Sequence, residues 1–153
     1  MTHLTQAVAR LLRGRQGSSA VEFALVLPIL IATLTAVVDL GMGFYEQMQV
    51  RNAAQAGASY ATLHGFQATA IQNAVTSAVP LPGVTALPAP TQSCGCATGT
   101  GIGAAACNST CPNGQTAGTY VSVSAQVTFR PFLPYPFLGS PLVLTGQASA
   151  RIS

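Results

Sequence analysis

The longest run of apolar residues extends from Phe23 to Val38, FALVLPILIATLTAVV, and contains no charged residue. As an α-helix this run measures about 24 Å, at roughly 1.5 Å per residue. Extending it over residues 20–44 reaches the roughly 20 residues that cross a bilayer and brings in Glu22 and Asp39. The pattern predicts one membrane-spanning helix, which we expect to continue beyond the membrane to about Leu63.

Shorter periodic segments follow this helix. Residues 69–79 carry apolar side chains at spacings of three and four, which predicts a second helix after a break at Gly65. Residues 119–130 alternate strictly between apolar and polar side chains, which predicts a strand with one apolar face. Residues 142–152 predict a second, less regular strand, interrupted by Gly146.

Two further segments suit close contact. Ala53, Gly57 and Ala61 form a row of small residues at a spacing of four, along which a second element can approach a helix closely. The row packs either against the protein's own domain or against a helix of another subunit. Residues 131–141, PFLPYPFLGSP, are too apolar for a neutral linker, so we expect them to pack or to bind.

Residues 80–118 are rich in Pro, Gly, Ser, Thr and Ala and show no strong periodicity, which predicts a long loop. The loop contains all the cysteines of the chain: Cys94, Cys96, Cys107 and Cys111. A ring closed by Cys94 and Cys96 would be strained, so we favour disulfides between the CxC and CxxxC halves. The alternative is a zinc site, although C-x-C-x10-C-x3-C lacks the usual C-x2-C pairs.

Charge is scarce in this chain. Only 6% of the residues are charged, whereas about a quarter are charged in an ordinary soluble domain, and this excludes a typical cytosolic enzyme. All basic residues are arginines, and half of them crowd the N-terminus. This distribution lacks the basic face that nucleic-acid binding requires, so we expect no nucleic-acid partner.

The arginines also indicate how the chain is oriented across the membrane. Arg10, Arg13 and Arg15 precede the apolar run, whereas residues 39–49 contain two acids and no base. Because basic flanks remain in the cytoplasm, we expect a single-pass protein of the inner (cytoplasmic) membrane with a cytoplasmic N-terminus. The C-terminal domain is then periplasmic or extracellular, where disulfides are favoured over zinc.

The chain has no group of side chains that could catalyse a reaction together. The acids Glu22, Asp39 and Glu46 all lie in or beside the membrane helix, and His3 and His64 are isolated. No acid–base pair is therefore available to the exported domain. We expect no enzymatic activity, no cofactor and no metal.

The stretch before the membrane helix, RQGSSAVEF, has basic residues, then Gly17, then Glu22 immediately before the apolar run. It resembles a prepilin signal, in which a membrane aspartyl protease cuts after the glycine, here between Gly17 and Ser18. The cut frees an α-amino group that is mostly cationic at neutral pH. Glu22 lies one turn from Ser18 and can neutralise this amine or that of a neighbouring subunit. Alternatively, Glu22 snorkels to the membrane surface and Gly17 is a loop residue.

Residues 17–28, GSSAVEFALVLP, resemble the N-terminal signature of the TadE-like family of tight-adherence (Flp-type) pilus systems. Residues 51–61 and 144–151 are also similar to that family. The resemblance implies a minor pilin or pseudopilin in pilus assembly and cell adhesion. It implies as partners the inner membrane, a prepilin peptidase, other pilin or pseudopilin subunits and the pilus assembly platform. The chain is far longer than a major Flp-type pilin, which argues against a main filament subunit.

The sequence therefore predicts an α+β protein with a long N-terminal helix and a small antiparallel sheet. Residues 1–17 are expected to form a basic leader and residues 18–63 a transmembrane and stalk helix. Residues 64–153 are expected to form the exported domain, with a cysteine-rich loop over 80–118 and a β-hairpin over 119–152. Two other functions remain open, a single-pass periplasmic binding or adhesion module without a pilus role and a metal-binding exported enzyme accessory.

Overall fold

The structure, a computed structural model, describes residues 18–133, 135 and 141–153. These residues form two helices and four strands: α1 (Ser18–His64), α2 (Ala68–Ser77), β1 (Thr91–Thr98), β2 (Gly101–Ala104), β3 (Gly118–Phe129) and β4 (Leu142–Arg151). The predicted α+β class, with a long N-terminal helix, a short second helix and a small antiparallel sheet, is confirmed. The expected leader, residues 1–17, lies outside the described residues.

The chain divides after Leu40 into two units, and the second unit is Gly41–Ser153. Helix α1 supplies all the described residues of the first unit and the first 24 or so positions of the second. It ends one residue beyond the predicted end, where Gly65 adopts a positive φ of 76°. The Gly65 N–H donates to the carbonyl of Ala61 at 2.9 Å, which is the left-handed cap that glycine favours.

The sheet of the second unit has the strand order β2-β1-β3-β4, and every neighbouring pair is antiparallel. Strands β3 and β4 pair along their length, from Phe129 opposite Leu142 to Tyr120 opposite Arg151. These two strands match the segments predicted at 119–130 and 142–152 to within about one residue. The alternating pattern located them because only one of their faces is buried.

The expectation of a continuous loop over residues 80–118 was wrong for its middle. Thr91–Thr98 forms β1, which pairs with β3, and Gly101–Ala104 forms β2. Further along β3, Thr85 and Gln126 exchange two backbone hydrogen bonds of 2.9 Å. The backbone of this segment is thus paired to β3 at several points, although its small and polar side chains carry no periodic pattern.

The core of the second unit lies between the helices and one face of β3. The apolar residues of the predicted alternating strand are all buried: Val121, Val123, Ala125, Val127 and Phe129. Ile71 and Val75 of α2 and Val50 of α1 are fully buried with them. The largest fully buried side chains in the described part of the chain are isoleucine and valine, so this is a core of small residues that depends on close approach of the backbones.

Candidate functional site

The first unit presents apolar side chains on every side of α1. Consecutive residues of a helix are rotated by about 100°, and the exposed side chains of residues 25–31 therefore point in all directions. Their exposure ranges from 38% at Leu27 to 71% at Leu25. Phe23, Leu34 and Val37 extend the same exposed surface towards the two ends of the unit. A helix that is apolar all round is typical of a membrane span or of the core of a large protein.

Polar groups within this segment bond to the helix itself. The hydroxyl of Thr33 donates to the carbonyl of Leu30 at 2.9 Å, and that of Thr35 donates to the carbonyl of Ile31 at 2.8 Å. Pro28 lies inside the helix and lacks the N–H that would bond to the carbonyl of Ala24. Threonine back-bonding satisfies hydroxyls in hydrocarbon, and membrane helices tolerate proline.

Within the described residues, α1 is the one helix long and apolar enough to cross a membrane. Residues 21–38 would cover about 27 Å, close to the roughly 30 Å of a bilayer core. The exposed apolar side chains of the first unit distinguish this segment from the buried helix of a soluble core.

Ser18 and Glu22, two of the residues expected at the processing junction, lie at the start of α1. Ser18 is the first helical residue and Glu22 lies one turn later on the same face, with its side chain exposed. Gly17, on the other side of the expected cut, lies outside the described residues. The spacing of Ser18 and Glu22 suits contact between the carboxylate and an amine on residue 18, which is the chemistry inferred from the sequence.

The small-residue row of α1 packs inside the second unit. Ala53 and Ala61 are fully buried. A Cβ built on Gly57 would lie 2.5 Å from Cγ2 of Val75 and 2.9 Å from Cγ1 of Val123. Of the two partners considered from the sequence, the protein's own α2 and β3 occupy this row in the structure.

Sequence reasoning missed how closely β4 approaches α1. A Cβ on Gly146 would lie 2.8 Å from the backbone nitrogen of Arg51, and Nε2 of Gln47 donates to the carbonyl of Thr145 at 2.7 Å. The signal in the sequence was Gly146 itself, since glycine inside a strand often marks such an approach. These contacts fix β4 along the portion of α1 that follows residue 46.

The cysteines form two disulfides, Cys94–Cys107 and Cys96–Cys111. Each bond joins the CxC half to the CxxxC half, which is the arrangement that the strained-ring argument favoured. The bonds secure residues 105–117 to β1, and Cys96 and Cys111 are buried. While paired, the four sulfurs are unavailable as thiolate ligands for zinc. Among the described residues, no three His, Cys, Asp or Glu side chains form a cluster suited to a metal ion.

Comparison with protein families matches residues 17–59 to the family described as TadE-like protein. The matched segment comprises the glycine junction, the exposed apolar part of α1 and most of its buried part. This match confirms the resemblance noted in the sequence over that segment. No curated protein and no solved structure matches the chain significantly.

Proposed function

We propose that this protein is a membrane-anchored minor pilin or pseudopilin that takes part, without enzymatic activity, in assembling a tight-adherence (Flp-type) pilus. The observation that carries the proposal is the coincidence of two findings on one helix. The TadE-like match covers residues 17–59, and within that range α1 exposes apolar side chains on all sides. The protein then acts by assembly, through its helix and its exported unit.

The proposed location is the inner membrane, crossed once, with the N-terminus in the cytoplasm and residues 41–153 in the periplasm or outside the cell. The arginines before α1 support this direction. The two disulfides support it independently, because disulfides persist in oxidising compartments and are rare in the cytosol.

We propose that a prepilin peptidase cuts between Gly17 and Ser18. Glu22 then binds the new α-amine of a neighbouring pilin or pseudopilin subunit and so sets the axial register of the two helices. A carboxylate at the edge of hydrocarbon is costly unless paired, so this contact favours one register over its neighbours. The inner membrane and the pilus assembly platform are the remaining partners in this scheme.

The test of processing is the mature N-terminus. We expect the full chain, produced with its peptidase, to begin at Ser18 by mass spectrometry or N-terminal sequencing. Gly17→Val should block the cut, because the branched side chain crowds the scissile bond, whereas Gly14→Val in the same leader should not. An uncut chain with a native membrane location would instead favour a single-pass binding or adhesion module without a pilus role.

The test of Glu22 is assembly after normal processing. Glu22→Gln keeps the size and removes the charge, so we expect the variant to be cut at Gly17 and the amount of pili in sheared fractions to fall sharply. Glu46→Gln, a carboxylate on the same helix beyond the membrane segment, is the matched control and should assemble. Normal assembly of Glu22→Gln would refute the register role.

A further inference from the structure

Exposed aromatic side chains gather at one end of the second unit. Phe44 is 69% exposed, Tyr45 52% and Phe132 69%. We propose that these three residues form a membrane-facing collar that seats the exported unit on the lipid headgroups and outer acyl chains of the bilayer. The inference rests on the membrane anchoring in the proposed function, and it adds a second membrane contact from a distant part of the chain.

Contacts inside the second unit place the end of β3 beside Gly43, near the point where α1 enters this unit. A Cβ on Gly43 would lie 3.5 Å from Cε1 of Phe129. Phe132 follows Phe129 by three residues, so its Cα lies within about 11 Å of that of Phe129. Residues 43–45 and the beginning of the β3–β4 connection therefore share one end of the unit.

The chain itself sets the level of this end relative to the membrane. Leu40 is the last residue of the first unit, and Phe44 follows it by one helical turn, a rise of about 6 Å. Headgroups add roughly 5–8 Å to each side of the hydrocarbon core. Residues 41–45 therefore lie at about the level of the headgroups when residues 21–38 span the bilayer.

The chemistry of the collar fits a lipid surface. Tyrosine is enriched at membrane interfaces, where one end of its ring is apolar and the other is hydrated, and phenylalanine rings bury at the boundary of headgroups and acyl chains. Residues 131–141 contain no charged side chain, and Arg130, exposed just before them, can reach anionic headgroups. The nearest carboxylate on α1 is Glu46, which is half-buried. In water the same aromatic surface would favour aggregation.

The chain contains no tryptophan, so single substitutions give site-specific fluorescence. We would place Phe132→Trp, Leu34→Trp and Leu63→Trp separately in the full chain and reconstitute each in phosphatidylethanolamine–phosphatidylglycerol vesicles. Leu34 is 67% exposed inside the expected span. Leu63 is 80% exposed and lies about 28 Å along α1 from Phe44, which makes it the matched control. Quenchers would be lipids brominated at shallow or deep acyl positions and iodide in the water.

The membrane-facing collar predicts that shallow bromines quench the tryptophan at position 132, with blue-shifted emission and weak iodide quenching. The tryptophan at 63 should respond to iodide alone. If deep bromines quench position 34 while position 132 responds to iodide, the collar is refuted and the anchor stands. If position 132 is shielded from bromine and iodide alike, protein covers it and the lipid contact is refuted. If position 34 escapes bromine, the membrane anchor fails first, and the collar fails with it.

Discussion

Helix α1 is continuous, but the size and exposure of its apolar side chains differ on the two sides of Leu40. The first part carries Leu, Ile, Val and Phe exposed on all sides, whereas the second buries Val50, Ala53, Ala54, Ala58 and Ala61 on one side. Large side chains suit lipid, since hydrocarbon contacts a helix without needing a close fit. Small side chains suit a protein core, since they let α2 and β3 approach the helix axis. Residue size, as well as hydrophobicity, therefore distinguishes the two environments.

The largest effect should come from a charge in the first part of α1. Leu30→Arg places a guanidinium near the centre of the expected span, which costs about 3 kcal/mol of insertion free energy and lowers the insertion equilibrium constant by roughly two orders of magnitude. Carbonate extraction of membranes checks this. Leu63→Arg, at the exposed far end of the same helix, should remain integrated. Equal extraction of the two variants would contradict the division of α1.

Trimming the same side chain in the two parts should give unequal results. Val50 is fully buried, so Val50→Ala should lower the free energy of unfolding of the second unit by roughly 2 kcal/mol through the cavity it leaves. Val37 is 66% exposed, and Val37→Ala should leave that free energy unchanged. Denaturant titration in mild detergent, followed by circular dichroism, measures both. A similar loss in both variants would mean that the first part is also packed in protein.

Replacing glycine by alanine should also affect stability differently at two positions along the helix. Gly57→Ala forces a contact with Val75 and Val123, and overpacking of this kind outweighs the gain in helix propensity by about 1 kcal/mol. Gly41→Ala meets no atom within 4 Å and should be neutral or slightly stabilising. The same titration applies. Stabilisation by Gly57→Ala would show that α2 and β3 are not against this row.

The smallest effect should come from the polar contact between α1 and β4. Gln47→Ala removes the 2.7 Å bond from Nε2 to the carbonyl of Thr145, at a cost of about 0.5–1 kcal/mol because the groups are exposed to water. Gln55→Ala, an exposed glutamine farther along α1, is the control and should change nothing. Hydrogen exchange at β4 is the more sensitive readout, and faster exchange is expected for Gln47→Ala only.

The elements with a strong pattern were predicted from the sequence, and those held by long-range pairing were not. The alternation of Val121 and Val123 with serines located β3, and the charge-free run located the exposed apolar part of α1. Strand β1, TQSCGCAT, has no alternation because its conformation comes from pairing with β3 and from two disulfides. The row around Gly57 predicted a close contact but not its partner, since small residues serve subunit contacts and internal packing alike. The proposed collar depends on the approach of Phe129 to Gly43, a tertiary contact that no local pattern contains.

The central claim is that α1 passes from lipid to water near residue 40, and spin-label accessibility tests it most directly. Nitroxides at Ile29 and Ile31 lie on opposite faces of the first part of α1, and nitroxides at Gln55 and Ser59 lie on the exposed side of the second. In vesicles, we expect both labels of the first pair to collide with oxygen and neither with a polar nickel complex. Both labels of the second pair should collide with the nickel complex. Nickel access to positions 29 and 31 comparable to that at 55 and 59 would contradict the account.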